Sequence, residues 1–286
     1  MTAEPVGGFN LTIHQEAQKI KSAFQAQYSR HVEIFDSEVE ERRRENRHLL
    51  DIRKLKSEDT ILNPLSIDLL SIPLLHEAFN QEDIQKFSDD LEEIGSSRLL
   101  DLFLHKDWQT LESLAVKHGI EQDLLLFVGL NLTQAVLELY AEKLKSKVDQ
   151  ENWLKGICPV CGNLPALGKL RKEDGKRILW CAWCGTEWHY KRIMCPFCGN
   201  EDHNSLRFFL VEGDPPADKA AFRVDVCDKC KRYIKTLDER KFPHRDILNL
   251  RMENSNTLYL DVLARKDGYK SPTFWMAALS GEELVC

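Results

Sequence analysis

The stretch "WCAWCGTEWHYKRIMCPFCG" (residues 180–199) contains two C-x-x-C pairs and decides how this chain folds. One further pair precedes it and one follows it. The four pairs, in chain order, are Cys158/Cys161, Cys181/Cys184, Cys195/Cys198 and Cys227/Cys230. Nineteen residues separate the first pair from the second, ten the second from the third, and twenty-eight the third from the fourth. Four-cysteine metal sites typically have fifteen to twenty residues between their pairs. The spacing therefore predicts two sites in chain order, joined by the quoted stretch.

The two predicted sites repeat one another. "CPVCG" opens the first and "CPFCG" opens the second, and a glycine follows three of the pairs (Gly162, Gly185 and Gly199). Glycine can adopt a positive φ there and turn its backbone N–H toward sulfur. Four thiolates bind Zn²⁺ or iron tetrahedrally at about 2.3 Å. We therefore expect two metal ions per chain, Fe or Zn, each held by four cysteines in a rubredoxin-like or zinc-ribbon unit.

Other uses of paired cysteines fit this pattern less well. A thioredoxin motif is a single pair at a helix start, and structural disulfides belong to secreted proteins. The first residues, "MTAEPVGGFNLTIHQEAQ", show no signal-peptide pattern. We expect a cytoplasmic protein, whose thiols stay reduced. Cys286 stands alone at the end of the sequence and is interpreted as an incidental thiol.

The first 150 residues contain no cysteine and have the apolar periodicity of helices. Predicted helices cover residues 11–28 and 80–94, and Gly95 and Gly119 are predicted helix ends. Pro64 and Pro73 are expected to break the helical pattern. The apolar run at 124–141 contains five polar or glycine positions, so we expect a buried helix and no insertion into a membrane.

The second half changes to short β-like runs separated by turn residues. A helix follows, ending at Gly268, in which Asp261 and Arg265 are interpreted as a surface ion pair. The chain is therefore predicted to be an α+β multidomain protein, with a helical N-terminal domain, two rubredoxin-like or zinc-ribbon β units and a C-terminal helix. The predicted boundaries are 1–150 for the helical domain, 151–190 and 191–242 for the two metal units, and 243–286 for the C-terminal helix and tail.

Charge argues against a nucleic-acid binder. The whole chain carries a formal net charge of −7. Residues 155–240 contain sixteen Lys and Arg against twelve Asp and Glu, and eight thiolates with two divalent ions would cancel that excess. Phosphate-driven binding needs a basic surface. A zinc-ribbon nucleic-acid binder is therefore the weakest of the functional hypotheses.

The run Thr186-Glu187-Trp188-His189 lies between the two predicted sites. In a strand, Trp188 and Tyr190 face one side, and Glu187 and His189 face the other. Two interpretations stay open. Trp188 either packs beneath the ribbon with the polar residues outside, or the run forms a recognition surface that joins the two metal units.

At these residues the sequence resembles the FdhE family of formate dehydrogenase accessory proteins. "LWCAWCGTEWHYKRIMCPFCG" resembles the family's central motif. "CPVCGNLPALGKL" and "VDVCDKCKRYIKTL" resemble its first and last cysteine segments, and "LDVLARKDGYKSP" resembles its C-terminal helix. These segments cover roughly residues 158–272. Residues 1–150 are similar only in being helical.

The resemblance implies a cytoplasmic helper rather than an enzyme. Such proteins are linked to producing active molybdenum- or tungsten-dependent formate dehydrogenase, and they are thought to contact its catalytic subunit. Iron has been associated with them. By position, the eight paired cysteines match the family's metal ligands. The residues that match its central motif, and that we expect to bind a partner, are Thr186, Glu187, Trp188, His189 and Arg192.

Two functional hypotheses lead. The first is a maturation factor that binds the immature catalytic subunit of formate dehydrogenase through a surface built on two metal sites. The second is a rubredoxin-like electron carrier, since iron held by four thiolates is redox-active and zinc is not.

Overall fold

The computed structural model describes residues 7–55, 57–210, 219–241 and 248–271. The described chain forms two compact units. The first contains residues up to 36 together with 50–143, and the second contains residues 37–49 together with 144 onward. Cys286 and much of the predicted tail lie outside the described residues. The domain boundaries at 150, 190 and 242 stay predictions.

The first unit is built from helices. They are α1 (Gly7–Tyr28), α3 (Asp59–Leu70), α4 (Leu75–Ala78), α5 (Gln81–Ile94), α6 (Ser96–His105), α7 (Trp108–His118) and α8 (Gln122–Leu144), while α2 (Asp36–Arg44) falls mostly in the second unit. Local sequence sets several ends. Asn80 accepts a hydrogen bond from the Glu82 N–H at the start of α5, and Gly95, at φ 77°, ends that helix. Gly119 ends α7 at φ 58°, which confirms both predicted glycine stops.

The break predicted at Pro64 is wrong, because Pro64 lies inside α3. Its missing N–H removes one bond, to the Thr60 carbonyl in the first turn, so the helix loses little. Leu62, Leu65 and Leu69 of α3 are fully or almost fully buried, and their packing outweighs that loss. Pro73 does follow the helix end, three residues after Leu70.

Helix α8 is the buried helix predicted at 124–141. The stretch Gln122–Lys147 is long and apolar enough to cross a membrane, but 72% of its most apolar window is buried inside the fold. A Cβ on Gly129 would lie 2.1 Å from a ring carbon of Phe103, so α8 needs glycine where this ring packs. The Lys21 ammonium of α1 donates to the Gln134 amide oxygen at 2.8 Å. These contacts are typical of a core helix.

The second unit contains a six-stranded sheet. Its strands are β1 (Leu167–Leu170), β2 (Arg177–Trp180), β3 (Glu187–Tyr190), β4 (Leu206–Phe209), β5 (Phe222–Cys227) and β6 (Arg232–Asp238), in the spatial order β3-β2-β1-β6-β5-β4. Each set of three consecutive strands is an antiparallel meander. The strands β1 and β6 join the meanders in parallel, with Leu167 opposite Lys235. The predicted fold class is confirmed, and its two ribbon units share one sheet.

Two helices, α9 (Leu250–Asn256) and α10 (Leu258–Lys266), follow the sheet. The surface ion pair predicted between Asp261 and Arg265 is wrong, because Asp261 is buried and faces β6. It accepts hydrogen bonds from the Tyr233 hydroxyl at 2.8 Å and the Lys235 ammonium at 2.6 Å. Burial lowers the pKa of Lys235, and Asp261 opposes that shift. Both partners lie on β6, far from Asp261 in the sequence, so local spacing could not have indicated them.

Candidate metal centres

Each cysteine pair sits on a tight turn of the same design, which we call a knuckle. The backbone N–H four residues after the first cysteine donates to that cysteine's carbonyl, at 2.8–3.0 Å in all four turns. The residue that donates has a positive φ each time: Gly162, Gly185, Gly199 and, in the fourth knuckle, Lys231 at φ 54°. Three of these positions are glycine because side chains disfavour this conformation. The glycines noticed in the sequence are therefore part of the turn geometry.

The knuckles bring the cysteines together in two groups of four. Among the described residues, Cys158, Cys161, Cys181 and Cys184 form the first cluster, and Cys195, Cys198, Cys227 and Cys230 form the second. All sulfurs within a cluster lie within 4.8 Å of one another. The pairing in chain order predicted from the spacing agrees with this geometry.

Sulfur–sulfur distances test whether a metal fits. A tetrahedral ion with bonds near 2.3 Å places its sulfurs roughly 3.8 Å apart, whereas a disulfide requires about 2.05 Å. The Cys158–Cys184 and Cys161–Cys181 sulfurs are 3.5 Å apart. The corresponding distances in the second cluster, Cys195–Cys230 and Cys198–Cys227, are both 3.7 Å. Both clusters therefore have the dimensions of a tetrahedral thiolate site, and neither is a pair of disulfides.

The protonation of these thiols also favours a bound cation. Burial raises the pKa of Cys158 and Cys181 well above the ordinary value, whereas the pKa of Cys161 is lowered despite burial, because the other three cysteines hydrogen-bond to its sulfur. In the second cluster, burial raises the pKa of Cys195 and raises that of Cys230 to about 11, while backbone N–H groups lower the pKa of Cys227 despite its burial. A metal ion supplies the positive charge that thiolates need in such surroundings. Two four-cysteine clusters that could hold metal ions are thus present.

Two asparagines extend the repeat beyond the cysteines. The Asn163 amide donates to the Cys161 sulfur at 3.5 Å, and the Asn200 amide lies 3.7 Å from the Cys227 sulfur. Hydrogen bonds of this kind disperse thiolate charge. Our sequence interpretation missed both residues. The signal was there, because the repeat reads C-P-x-C-G-N at residues 158–163 and 195–200.

An N-terminal segment, residues 37–49, covers the first knuckle within the second unit. The Leu49 N–H donates to the Pro159 carbonyl at 2.8 Å. A Cβ on Gly162 would lie 3.0 Å from the His48 ring, so this ring rests on the turn. Buried Arg42 donates to the His48 carbonyl at 2.7 Å and holds the segment in place. Nothing local in the sequence of this segment indicated this role.

The strand β3 connects the clusters. Thr186, just before it, lies with its hydroxyl 3.1 Å from the Cys184 sulfur of the first cluster. Tyr190, at its end, donates its hydroxyl to the Cys195 carbonyl of the second at 3.1 Å. Burial raises the pKa of Tyr190 to about 12, so this hydroxyl keeps its proton. The strand is held at both ends by the knuckles.

The residues expected to bind a partner lie in different surroundings. Trp188 is 1% exposed, and its indole N–H donates to the Lys155 carbonyl at 3.0 Å, so it packs in the core. Glu187 is exposed and lies 2.7 Å from the Lys169 ammonium, while His189 is half-buried. Arg192 is exposed and lies beyond the strand. The structure therefore presents Glu187, His189 and Arg192 to solvent and keeps Trp188 inside.

Comparison with known proteins agrees with this architecture. Residues 157–192 match the family model described as "FdhE, central domain", and residues 193–275 match "FdhE, C-terminal domain". Over residues 157–275 this chain is therefore similar to the FdhE family. The two matched segments contain all eight paired cysteines and meet between Arg192 and Ile193, within the stretch that joins the clusters.

Curated relatives of the family match part of this chain. The FdhE homologue of Aquifex aeolicus is 32% identical over 168 residues, 57% of this chain and 56% of its own length. That of Pseudomonas aeruginosa is 37% identical over 127 residues, 42% and 40% of the two chains. Protein FdhE of Escherichia coli K12 is 31% identical over 114 residues, 39% and 34%. The chain thus spans about half, or less, of the length of these relatives.

A solved structure extends the similarity to both units. The crystal structure of the FdhE protein from Pseudomonas aeruginosa covers 94% of this chain and 95% of its own, with a TM-score of 0.58 and 18% sequence identity. At this identity the likeness shows the fold alone. It includes the helical N-terminal region, for which the sequence offered no specific family motif.

Proposed function

We propose that this chain is a cytoplasmic accessory protein that binds the immature catalytic subunit of a molybdenum- or tungsten-dependent formate dehydrogenase and supports its maturation. Similarity of residues 157–275 to the FdhE family, together with two four-cysteine clusters built into one sheet, supports this proposal. The proposed role is that of a binding protein rather than an enzyme, because the family that this chain resembles is one of accessory proteins.

The eight clustered cysteines are the proposed metal ligands, with one Fe or Zn ion in each cluster. A structural metal stabilises the fold that its ligands form, because the unfolded chain has no preformed site. Iron would in addition supply one-electron redox chemistry, which zinc does not. The amides of Asn163 and Asn200 donate toward sulfur and stabilise the thiolates in either case.

The proposed partner surface follows β3 and the turn after it. Thr186 and Trp188 support this surface from below, while Glu187, His189 and Arg192 face solvent. The Gln150 side chain donates to the Glu187 carbonyl at 3.1 Å and accepts from the His189 N–H at 3.2 Å. These bonds pair the outer edge of β3. Recognition here therefore falls to side chains rather than to an added strand.

A deletion strain of the source organism tests the proposal most directly. We expect formate dehydrogenase activity to be lost, with the catalytic subunit still synthesised, and to return on complementation. Normal activity in the deletion strain would contradict the proposed role.

Capture of the catalytic subunit tests the surface. A Glu187→Ala/His189→Ala double variant should capture less of the subunit at unchanged metal content. Glu92→Ala, an exposed change on α5 of the first unit, serves as the matched control. Equal capture by the double variant and the control would reject this surface.

The second candidate, electron transfer, rests on the second cluster. Its Cys198 is exposed and its Cys230 is half-buried, so a redox partner can approach the sulfurs closely. Anaerobically purified protein should then contain iron and show thiolate-to-iron absorption bands in the visible spectrum. Stoichiometric zinc without iron would leave the clusters a structural role only.

A further inference from the structure

A cleft of about 200 Å³ lies beside the second cysteine cluster, with Cys195 and Cys227 in its wall. Its charged lining consists of Arg177, Arg192, Arg207, Arg223, Arg232 and Asp225. This excess of positive charge stands out in a chain of net charge −7. Holding a metal at the cluster does not by itself require an open cleft.

The floor of the cleft contains a buried guanidinium. Arg177 is 5% exposed, and its Nη1 donates to the Met194 carbonyl at 3.0 Å. Its Nη2 lies 3.6 Å from Asp225 Oδ2, beyond hydrogen-bond distance. Within the described part of the chain, Nε and Nη2 have no hydrogen-bond partner. Because arginine keeps its charge when buried, such unpaired donors are costly and favour an added acceptor.

The nearby carboxylate does not balance the arginines. Asp225 accepts from the Thr236 hydroxyl at 2.7 Å and lies 2.8 Å from Arg223 Nε, so Arg177 shares it with two other donors. Arg192 at the rim is exposed and has no hydrogen bond or ion pair with any described residue. Among the described residues that line the cleft, Asp225 is the one carboxylate against five guanidiniums, of which Arg207 is paired with Asp228. The cleft has a surplus of positive charge where an anion can enter.

Two apolar side chains that line the cleft are also exposed at its opening. Ile193 is 64% exposed and Phe208 is 58% exposed. The Arg223 guanidinium lies 4.9 Å from the centre of the Phe208 ring, which keeps this arginine at the opening. Small-molecule sites usually enclose about 300–1,000 Å³. The smaller volume here suits one inserted side chain, with its neighbours resting on Ile193 and Phe208.

We propose that this cleft receives an acidic side chain of a partner protein, presented between apolar residues. The inference rests on the proposed function, since it names the chemistry by which the partner is recognised. Guanidinium groups bind a carboxylate in paired, charge-assisted hydrogen bonds. Arg177 holds the carboxylate inside the cleft, Arg223 and Arg192 attract it at the opening, and the apolar neighbours pack on Ile193 and Phe208.

A competing explanation is that the arginines only neutralise the thiolates of the second cluster. Removing Arg192 would then weaken metal retention and leave anion binding unaffected. Arg192 is the useful position to change, because it is exposed and unpaired, whereas loss of buried Arg177 can disturb the fold. Metal content, measured on every variant, separates the two explanations.

The first experiment titrates metal-loaded full-length protein with N-acetylglutamate N-methylamide while the arginine side-chain N–H signals are followed by NMR. We expect saturable binding that is about tenfold weaker in Arg192→Gln and intermediate in Arg192→Lys. The control Arg240→Gln removes an exposed, ion-paired arginine outside the cleft and should bind like the wild type. No saturable binding, or equal binding by Arg192→Gln, overturns the proposal. Inorganic phosphate that displaces the probe and binds more tightly than it overturns the carboxylate assignment.

The second experiment measures capture of the formate dehydrogenase catalytic subunit. Capture that is reduced in Arg192→Gln and in Ile193→Ser, and kept in Arg240→Gln, supports the cleft. Equal capture by all variants rejects the cleft and leaves the proposed function standing. Failure of the wild type to capture the subunit contradicts the proposed function instead, and the titration then decides on the cleft independently.

Discussion

The two cysteine clusters are built from the same knuckles and repeat the same sequence, yet they differ in what surrounds them. In the first cluster, all four cysteines are at most 2% exposed. In the second, Cys198 is exposed and Cys230 is half-buried. The first knuckle lies under the ring of His48, whereas a Cβ on Gly199 of the second cluster would meet nothing within 4 Å.

The difference shows that the C-x-x-C motif determines which residues are the metal ligands, whereas the residues packed around a cluster determine how accessible it is. A cluster sealed by neighbouring residues contributes stability and exchanges little with solvent. A cluster that opens beside an arginine-lined cleft is accessible to partners, reductants and competing ligands. We therefore propose that the first cluster stabilises the sheet and that the second is the one a partner approaches.

The largest effect should come from removing a ligand of the buried cluster. Structural zinc contributes about 10–16 kcal/mol to small metal domains, so Cys161→Ser should lose the first metal and the cooperative unfolding of the sheet unit. Cys198→Ser, at the exposed position, should keep the first metal and a folded sheet. Metal content per chain and thermal unfolding followed by circular dichroism measure both. If both variants lose the same amount of metal and of thermal stability, the two clusters do not differ in their contribution to folding.

The two clusters should release their metal at different rates. With excess chelator we expect about half of the metal to leave in a fast phase, because exposed sulfurs admit a competing ligand, and the rest to leave slowly. Alkylation of the released thiols, followed by mass spectrometry, should modify Cys198 and Cys230 first. A single phase, or first labelling at Cys158, would show that both clusters are equally accessible.

Substitution of the knuckle glycines should sharpen the contrast. Gly199→Ala meets no neighbouring atom, so it should cost only the left-handed backbone conformation, about 1–2 kcal/mol. Gly162→Ala has the same positive φ and also presses on the His48 ring at 3.0 Å, so it should cost more. Denaturant unfolding measures both. A larger loss of unfolding free energy in Gly199→Ala than in Gly162→Ala would show that the knuckle of the second cluster is the more tightly packed one.

The smallest effects should come from the asparagine amides. Asn163→Ala and Asn200→Ala should each cost about 1 kcal/mol, since each removes hydrogen bonds to a buried sulfur. Asn163 donates within its own pair, whereas Asn200 reaches the opposite pair, so Asn200→Ala should also speed metal release. Asn204→Ala, in an exposed turn, provides the control. If Asn200→Ala releases metal at the wild-type rate, the contact of Asn200 with the opposite cysteine pair does not slow metal release.

Local signals in the sequence predicted the elements well where one residue controls one turn. Asn80 begins a helix, and Gly95 and Gly119 end helices, because caps depend on nearby backbone groups. The predictions at Pro64 and Asp261 were wrong for the opposite reason. Burial of α3 leucines outweighs one lost hydrogen bond, and the partner of Asp261 is a lysine on a strand.

By itself, the sequence determined the two four-cysteine clusters and their pairing in chain order, because C-x-x-C spacing and the following glycines are properties of short chain segments. It also determined that β3 lies between them. Only the tertiary structure decided that both ribbons share one sheet through β1 and β6, that residues 37–49 cover the first cluster, and that the second opens beside a cleft of arginines. Those features join residues far apart in the chain, and their energies come from burial and charge pairing that form only when the chain is folded.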